Sequence, residues 1–410
     1  MTDSPSRPPL PIEMAGLAPP DAPRTLRGLR VIDVGQVIAG PFGPTLLADF
    51  GADVIKVEMP GERVRPEQRF NRAVEYRNKR SITLDLRLAE GRELFLKLVA
   101  RSDAVVENFT PGTLEKWGLG YDRLATANPG IILVRVSGYG QDGPYAGRRG
   151  FDRIGQAVGG LLHVTGEPDR PPAHPGYMLA DYITGMFNAL GLMMAVYQRD
   201  IVGTGRGQVV DASLYESIFR MSNTIAPEYA LDGVVRDRTG TFRAWSVPAN
   251  QYQTADGRWL LIIASSDRLM ERLLETVGRA DLTGDPRFGR TQRAANAHLL
   301  DEVIAAWVKT KTLAEAMAVL EAAQVPFGPV NTIADIFADE QFAARRNLVA
   351  TPDPVYGSVP IPGVVPKLSA TPGAIYAPAP EVGQHNDEIY RGLLGISDEE
   401  MAHLRAVKAI

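Results

Sequence analysis

Cysteine is absent from all 410 residues. That excludes disulfides, thiolate nucleophiles and thiolate metal sites, and it fits a reducing compartment, so a cytoplasmic location is expected. Histidine is scarce too. The five (His163, His174, His298, His385, His403) show neither HExxH nor HxH spacing, so no metal centre is expected. An excess of positive charge is also missing. At a net charge of −4 the chain has no basic field, so neither nucleic acid nor membrane is expected as a partner. Apolar runs are short. The longest, such as Ala189 to Tyr197, fall below the roughly 20 residues of a membrane span, and no signal-peptide core stands at the N-terminus.

What is present reads as two folded regions. The length exceeds one ordinary core. Residues 1–24, with Pro5, Pro8, Pro9, Pro11, Pro19, Pro20 and Pro23, read as an extended or disordered tail. From Leu26 onward, short apolar strands alternate with helices. The strands are at Val31–Val34, Val54–Val57, Ser81–Leu84, Ala104–Val106, Ile131–Val136 and Gln208–Ala212; the helices are at Thr45–Phe50, Glu90–Ala100, Thr113–Trp117, 182–199 and Ser213–Met221. This alternation predicts a doubly wound α/β domain with a parallel sheet covered on both faces. A hairpin over 251–263, with Ala255-Asp256-Gly257 at its turn, opens a smaller α+β domain with helices at 266–278, 296–308 and 312–323. Thr312 and Glu315 have capping-box spacing. Residues 351–380 are proline-rich with no helical pattern, and a last helix is expected near 397–407.

Three ligand motifs are missing. The turn after the first strand, Gly35-Gln36-Val37-Ile38-Ala39-Gly40-Pro41, is no GxGxxG, and neither a P-loop nor a GxSxG elbow occurs. Ligands of such folds bind at the carboxyl ends of the strands. The loops there carry Arg63, Arg65, Arg148, Arg149, Asn108 and Phe109, a mixture suited to an anion with a flat ring, although loop arginines also serve as plain surface charge. Asp181 stands at the start of helix 182–199. On physics alone it reads as a helix cap. A helix N-terminus would also keep a carboxylate ionised, and an ionised carboxylate in a dry pocket can attack an acyl carbon.

Several ordered segments then carry a resemblance. They include LRGLRVIDVGQVIAGP (26–41), ADFGADVIKVE (48–58), NKRSITLDLR (78–87), VENFTPGTLEKWGLGY (106–121), VSGYGQDGPYAGRRGFD (136–152), LADYITGM (179–186) and TGRGQVVDASLYE (204–216). From Leu26 to the C-terminus the chain resembles the class III coenzyme A transferases, the formyl-CoA, carnitine-CoA and benzylsuccinate-CoA transferase group. The resemblance implies a large Rossmann-like domain (25–220), a linker (221–240), a small α+β domain (241–340) and a return linker (341–380). A C-terminal segment (381–410) would pack on the large domain, and two chains would interlock as a homodimer.

The activity implied is transfer of CoA from an acyl-CoA thioester to a free carboxylic acid. It would pass through an aspartyl anhydride and an aspartyl-CoA thioester on Asp181, with coenzyme A as substrate and no prosthetic group. By the same resemblance CoA would meet Ile38, Ala39, Met59, Leu84, Arg87, Asn108, Phe109, Thr110, Lys116 and Arg149. Formyl-CoA:oxalate enzymes carry Gln where this chain has Ile38, which points away from oxalate toward a larger or less polar acid. Related CoA-ester racemases carry His-Asp where this chain has Phe151-Asp152, and loss of that acid/base disfavours racemisation. A subunit of a hetero-oligomeric transferase is the other alternative. A nicotinamide dehydrogenase is weakened by the missing glycine fingerprint.

Overall fold

The computed structural model describes residues 14–410. Pro5, Pro8, Pro9 and Pro11 of the expected tail lie outside them. The chain divides into two compact units. One holds the residues up to Leu162, His174–Val235 and Asp339–Ile410; the other holds His163–Ala173 and Arg236–Ala338.

In the first unit six parallel strands form one sheet: β1 (Arg30–Asp33), β2 (Asp53–Glu58), β3 (Lys79–Thr83), β4 (Ala104–Glu107), β5 (Ile132–Ser137) and β6 (Val209–Ser213). Their spatial order is β3-β2-β1-β4-β5-β6. The expected α/β class holds. The inner strands β1, β2, β4 and β5 carry apolar runs because both of their faces are covered, whereas the edge strands β3 and β6 are more polar. Ile32, Ile55, Val105 and Leu133 pack to one side, with Leu94, Phe95 and Leu124 from the helices there. Val31, Val54, Ala104 and Val134 pack to the other, with Leu47 and Leu192.

The helices covering this sheet are α1 (Ala39–Asp49), α2 (Arg69–Glu75), α3 (Ala89–Val99), α4 (Thr113–Lys116), α5 (Tyr121–Ala127), α6 (Asp152–Val158), α7 (Leu179–Asp200), α8 (Leu214–Arg220) and α9 (Ile225–Asp232). Helices α2, α5, α6 and α9 go beyond what the periodicity predicts, and α1 begins at Ala39 instead of Thr45. Gly40, Pro41, Gly43 and Pro44 look like loop, but Pro41 sits in the first turn, where its missing N–H costs no bond. The glycines serve the crossing of α1 with α7. A Cβ on Gly43 would come within 3.0 Å of Asn188 Cβ, and one on Gly185 within 2.7 Å of the Phe42 ring. By length and composition alone α7 could cross a membrane. Here its Ala180, Thr184, Leu192 and Ala195 are buried, while Met186, Leu190, Met194 and Tyr197 are exposed along one side.

The second unit has a three-stranded antiparallel sheet, β7 (Ala249–Gln253), β8 (Trp259–Ile263) and β9 (Phe327–Pro329). Helices α10 (Asp267–Thr276), α11 (Ala297–Val308) and α12 (Leu313–Ala322) pack on it around Leu260, Ile262, Leu273 and Leu300. The Thr312/Glu315 capping box is formed. A short α13 (Ile333–Ala338) follows. Residues His163–Ala173, which the sequence alone assigns to the large domain, join this unit. There the Gly240 N–H bonds the Gly166 carbonyl at 2.9 Å.

Back in the first unit, after α14 (Glu340–Ala344), the proline-rich stretch proves to be ordered. β10 (Leu348–Asp353) and β11 (Gly357–Pro362) form an antiparallel hairpin, and a two-stranded ribbon tolerates proline because every strand is an edge. The chain near Ala15 lies along it. The Ala15 N–H bonds the Leu348 carbonyl, and its own carbonyl accepts from Ala350 N–H at 2.8 Å. The tail reading is thus corrected here, since this backbone is tied into a ribbon. The chain then returns to the edge strand β3. The Asn386 side chain accepts from Thr83 N–H at 2.9 Å, Tyr390 O–H donates to the Thr83 carbonyl at 2.6 Å, and beyond α15 (Asp398–Ala406) the Ala409 carbonyl accepts from Asp85 N–H.

Buried charges join β1, β2 and β3. Lys56 and Lys79, on neighbouring strands, share the Asp33 carboxylate at 3.3 and 2.9 Å. Lys79 also donates to the Pro41 carbonyl at 2.9 Å, and Lys56 to that of Gly35. Burial alone would push the Asp33 carboxyl up, but the two lysines hold it below the usual range. Asp33→Ala leaves two ammonium groups in the core without their carboxylate. A loss of about 3–5 kcal/mol is expected, read as a lower urea midpoint.

Candidate active site

The sheet order reverses direction between β1 and β4, and the crevice above that point is where ligands of such folds bind. The side chain of Asn108 joins the two loops there. It accepts from Gln36 N–H at 2.7 Å and donates to the Gln36 carbonyl at 2.8 Å. Gly35 and Gly40 touch, since a Cβ on either would come within 2.9 Å of the other's Cα. Val37 takes up a left-handed backbone, φ 63°, that β-branched residues rarely adopt, and its side chain stands exposed. Strain of this kind at a ligand crevice marks a loop held in place by its surroundings.

Two cavities open at this crevice. The larger, about 850 Å³, is lined by Met59, Leu84, Arg87 and Phe109 of the expected residues, together with Arg63 and Trp117. The smaller, about 380 Å³, is lined by Ala39, Asn108, Phe109, Thr110, Arg149 and Asp181, with Arg148 and Phe151. Gln36, Val37 and Phe109 line both, so the two cavities are neighbours. The Phe109 ring meets Trp117 edge-on at 5.3 Å. Arg87 is clamped on Asp85 at 2.7 and 2.8 Å at the rim.

Two expected residues line neither cavity. Lys116 is exposed at the end of α4. Ile38 is buried, and its carbonyl accepts the first hydrogen bond of α1, from Phe42 N–H at 2.9 Å. Gln36 and Trp117 escape the sequence reading, although the first lies in the loop directly after β1.

Asp181 differs from the sequence picture in two ways. Helix α7 begins two residues before it, at Leu179, so Asp181 lies inside the first turn and is not the cap. The capping is done by Asp152 at the start of α6, whose Oδ1 accepts from the N–H groups of Ala180 and Asp181 at 2.9 and 3.3 Å. A carboxylate supplied by another helix has no local sequence signature. Gln156 holds the other Asp152 oxygen at 2.6 Å.

The second difference is charge. Asp181 is buried and has lost most of its water, Asp152 stands beside it, and Glu75 adds a further acidic group. Together they push its carboxyl up to about 7. A helix terminus by itself would keep Asp181 readily ionised. Its partial positive charge is instead met by Asp152. The result is a basic carboxylate facing a cavity, with no side-chain hydrogen bond among the described residues. Such an arrangement suits nucleophilic attack at neutral pH.

Comparison with known proteins places the chain in a family. The family model described as CoA-transferase family III matches residues 26–386. A succinyl-CoA–D-citramalate CoA-transferase of Chloroflexus aurantiacus is 43% identical over 95% of this chain and 98% of its own length. The beta subunit of a succinyl-CoA–L-malate CoA-transferase of the same organism is 44% identical over 94% and 98%. A succinyl-CoA:mesaconate CoA-transferase of Haloarcula hispanica is 37% identical over 89% and 95%. Among solved structures, a CaiB/BaiF family protein of Brucella suis superposes with a TM-score of 0.80 at 33% identity, over 91% of this chain and all of that one. The chain is a CoA-transferase and belongs to CoA-transferase family III.

Proposed function

We propose that this protein moves CoA from succinyl-CoA to a dicarboxylic acid of four or five carbons, with Asp181 as nucleophile. The observation that carries the reading is a buried and unusually basic carboxylate at the wall of the crevice. The acid class rests on the similar proteins, whose names give citramalate, malate and mesaconate. An Asp181 oxygen attacks the thioester carbon, the C–S bond breaks, and CoA leaves as thiolate with a mixed anhydride behind it. The thiolate attacks Cγ of Asp181 and expels the donor acid, giving an aspartyl-CoA thioester. The acceptor carboxylate attacks that carbonyl and releases the thiolate again. The thiolate then takes the acceptor's acyl carbon and frees Asp181. Two transfers over low barriers replace one over a high barrier.

In this reading the nucleotide end of CoA lies in the larger cavity, with Arg87 and Arg63 toward its phosphates and Trp117 and Phe109 offering flat faces. The pantetheine arm passes Gln36 and Val37 into the smaller cavity, toward Asp181. Phe151 stands where a racemase would need its second acid/base, and it is exposed at the cavity wall. Two copies are proposed to pair as an interlocked homodimer, with the exposed apolar side of α7 covered in the pairing.

Succinyl-CoA followed by hydroxylamine is expected to label Asp181, seen by peptide mass; absence of label with any acyl-CoA donor sinks the assignment. Asp181→Asn lowers kcat by about a thousandfold or more. The same change raises the melting temperature at alkaline pH. The wild-type carboxyl, raised in the folded state, favours folding below its ordinary range and loses that contribution as pH rises through about 7, so the gain from Asn shrinks on acidification. Arg87→Ala raises KM for the thioester about tenfold, whereas Lys116→Ala, outside both cavities, changes it less than about twofold. Light scattering of the chain expressed alone gives twice the monomer mass, with full activity; an inactive monomer would favour a subunit of a mixed assembly.

A further inference from the structure

Glu75 closes α2 and is completely buried, yet the mechanism above leaves it no part. Its Oε1 accepts from the Tyr182 hydroxyl at 3.1 Å. Its Oε2 has no partner among the described residues. The nearby cations are engaged elsewhere. Lys79 and Lys56 hold Asp33, and Arg77 holds Asp49 at 2.6 and 3.0 Å. A buried acid without its own counter-ion is unfavourable, and an amide or a leucine would fill the space at lower cost. Tyr182 directly follows Asp181 in the first turn of α7, and its ring is fixed edge-on against Phe42 at 4.7 Å. The Glu75–Tyr182 pair is therefore a rigid mount for an acidic group on the residue next to Asp181.

We propose that Glu75, held through Tyr182, is a positioning residue that keeps negative charge against Asp181 and so directs how the aspartyl anhydride breaks down. This rests on the reading of Asp181 as nucleophile. The anhydride offers the CoA thiolate two carbonyls. Attack at the donor's acyl carbon breaks its bond to the bridging oxygen, expels the Asp181 carboxylate and returns the starting thioester. Attack at Cγ of Asp181 breaks the Cγ–O bond instead. The donor acid then leaves with the bridging oxygen and its electron pair, and the aspartyl-CoA thioester forms. The weaker base is the better leaving group. Repulsion from Glu75 makes Asp181 the stronger base of the two, which favours the forward path.

Other groups facing this site act on both acids. Burial pushes Glu75 itself up; Lys79 from β3, the Tyr182 hydroxyl from α7 and Arg77 before β3 act against that, and Asp49 from α1 adds to it. Asp152 from α6 acts on Asp181 in the same sense as Glu75.

The test is the rate of Asp181 acylation by succinyl-CoA from about pH 5 to about pH 9, quenched with hydroxylamine and read by mass, with released labelled succinate giving the forward fraction. Wild type is expected to show a midpoint near 7. In Glu75→Gln the midpoint falls by about one pH unit and the forward fraction by about threefold. Glu75→Asp restores part of both. Tyr182→Phe shifts the midpoint the same way by less. A folded Glu75→Gln with unchanged midpoint and forward fraction overturns the proposal, as does an unchanged Tyr182→Phe should the Gln variant not fold. If wild-type Asp181 takes no acyl label, the nucleophile assignment itself has failed, and that is seen before any variant is compared.

Discussion

One carboxylate, Asp33, has to serve two ammonium groups from the adjacent parallel strands β2 and β3. Much of the crevice follows from that constraint. Lys56 and Lys79 cannot stay charged in the core without Asp33, and Asp33 cannot stay ionised without them. Their remaining donors reach the Gly35 and Pro41 carbonyls, on either side of the loop that leaves β1. The strained Val37 and the close approach of Gly35 to Gly40 lie within that span. A charge cluster under the sheet's carboxyl edge thus holds the loop that both cavities share.

The surroundings of Asp181 follow a different logic. Helix N-termini usually make carboxylates more acidic. Here one acid takes up the helix N–H groups so that another need not. Asp152 makes those bonds, and Asp181 is left with burial and like charge, both of which raise its basicity. In the proposed reaction a strongly acidic carboxylate would attack a thioester poorly and would be expelled readily from an anhydride. Structure and reactivity therefore meet in the division of labour between α6 and α7.

The strands are the most legible part of the sequence, because a parallel strand covered on both faces is a short continuous apolar run bounded by turn residues. The first turn of α1 is hidden by Gly40, Pro41, Gly43 and Pro44. Gly43 reflects the crossing with α7 and Gly40 the close approach of Gly35 and Asn108, contacts that no local helical pattern records. The proline-rich ribbon β10–β11 escapes for a related reason, since Pro352, Pro360 and Pro362 are tolerated only because every strand of a hairpin is an edge. Of the site, the loops at the strand ends are legible from topology alone. Asp181 as the proposed nucleophile is legible only through the surrounding motifs. Asp152 and Glu75 are not, because their meaning depends on which helix ends face each other.

The wall of the larger cavity formed by Leu84 to Arg87 is steadied from the far end of the described chain, by the Ala409 carbonyl on Asp85 and by Tyr390 on Thr83. A polypeptide emerging from the ribosome can assemble its central strands early, but this wall stays unsupported until those late residues have been released. The wall is therefore among the last parts of this unit to be completed, long after the strands on which it stands.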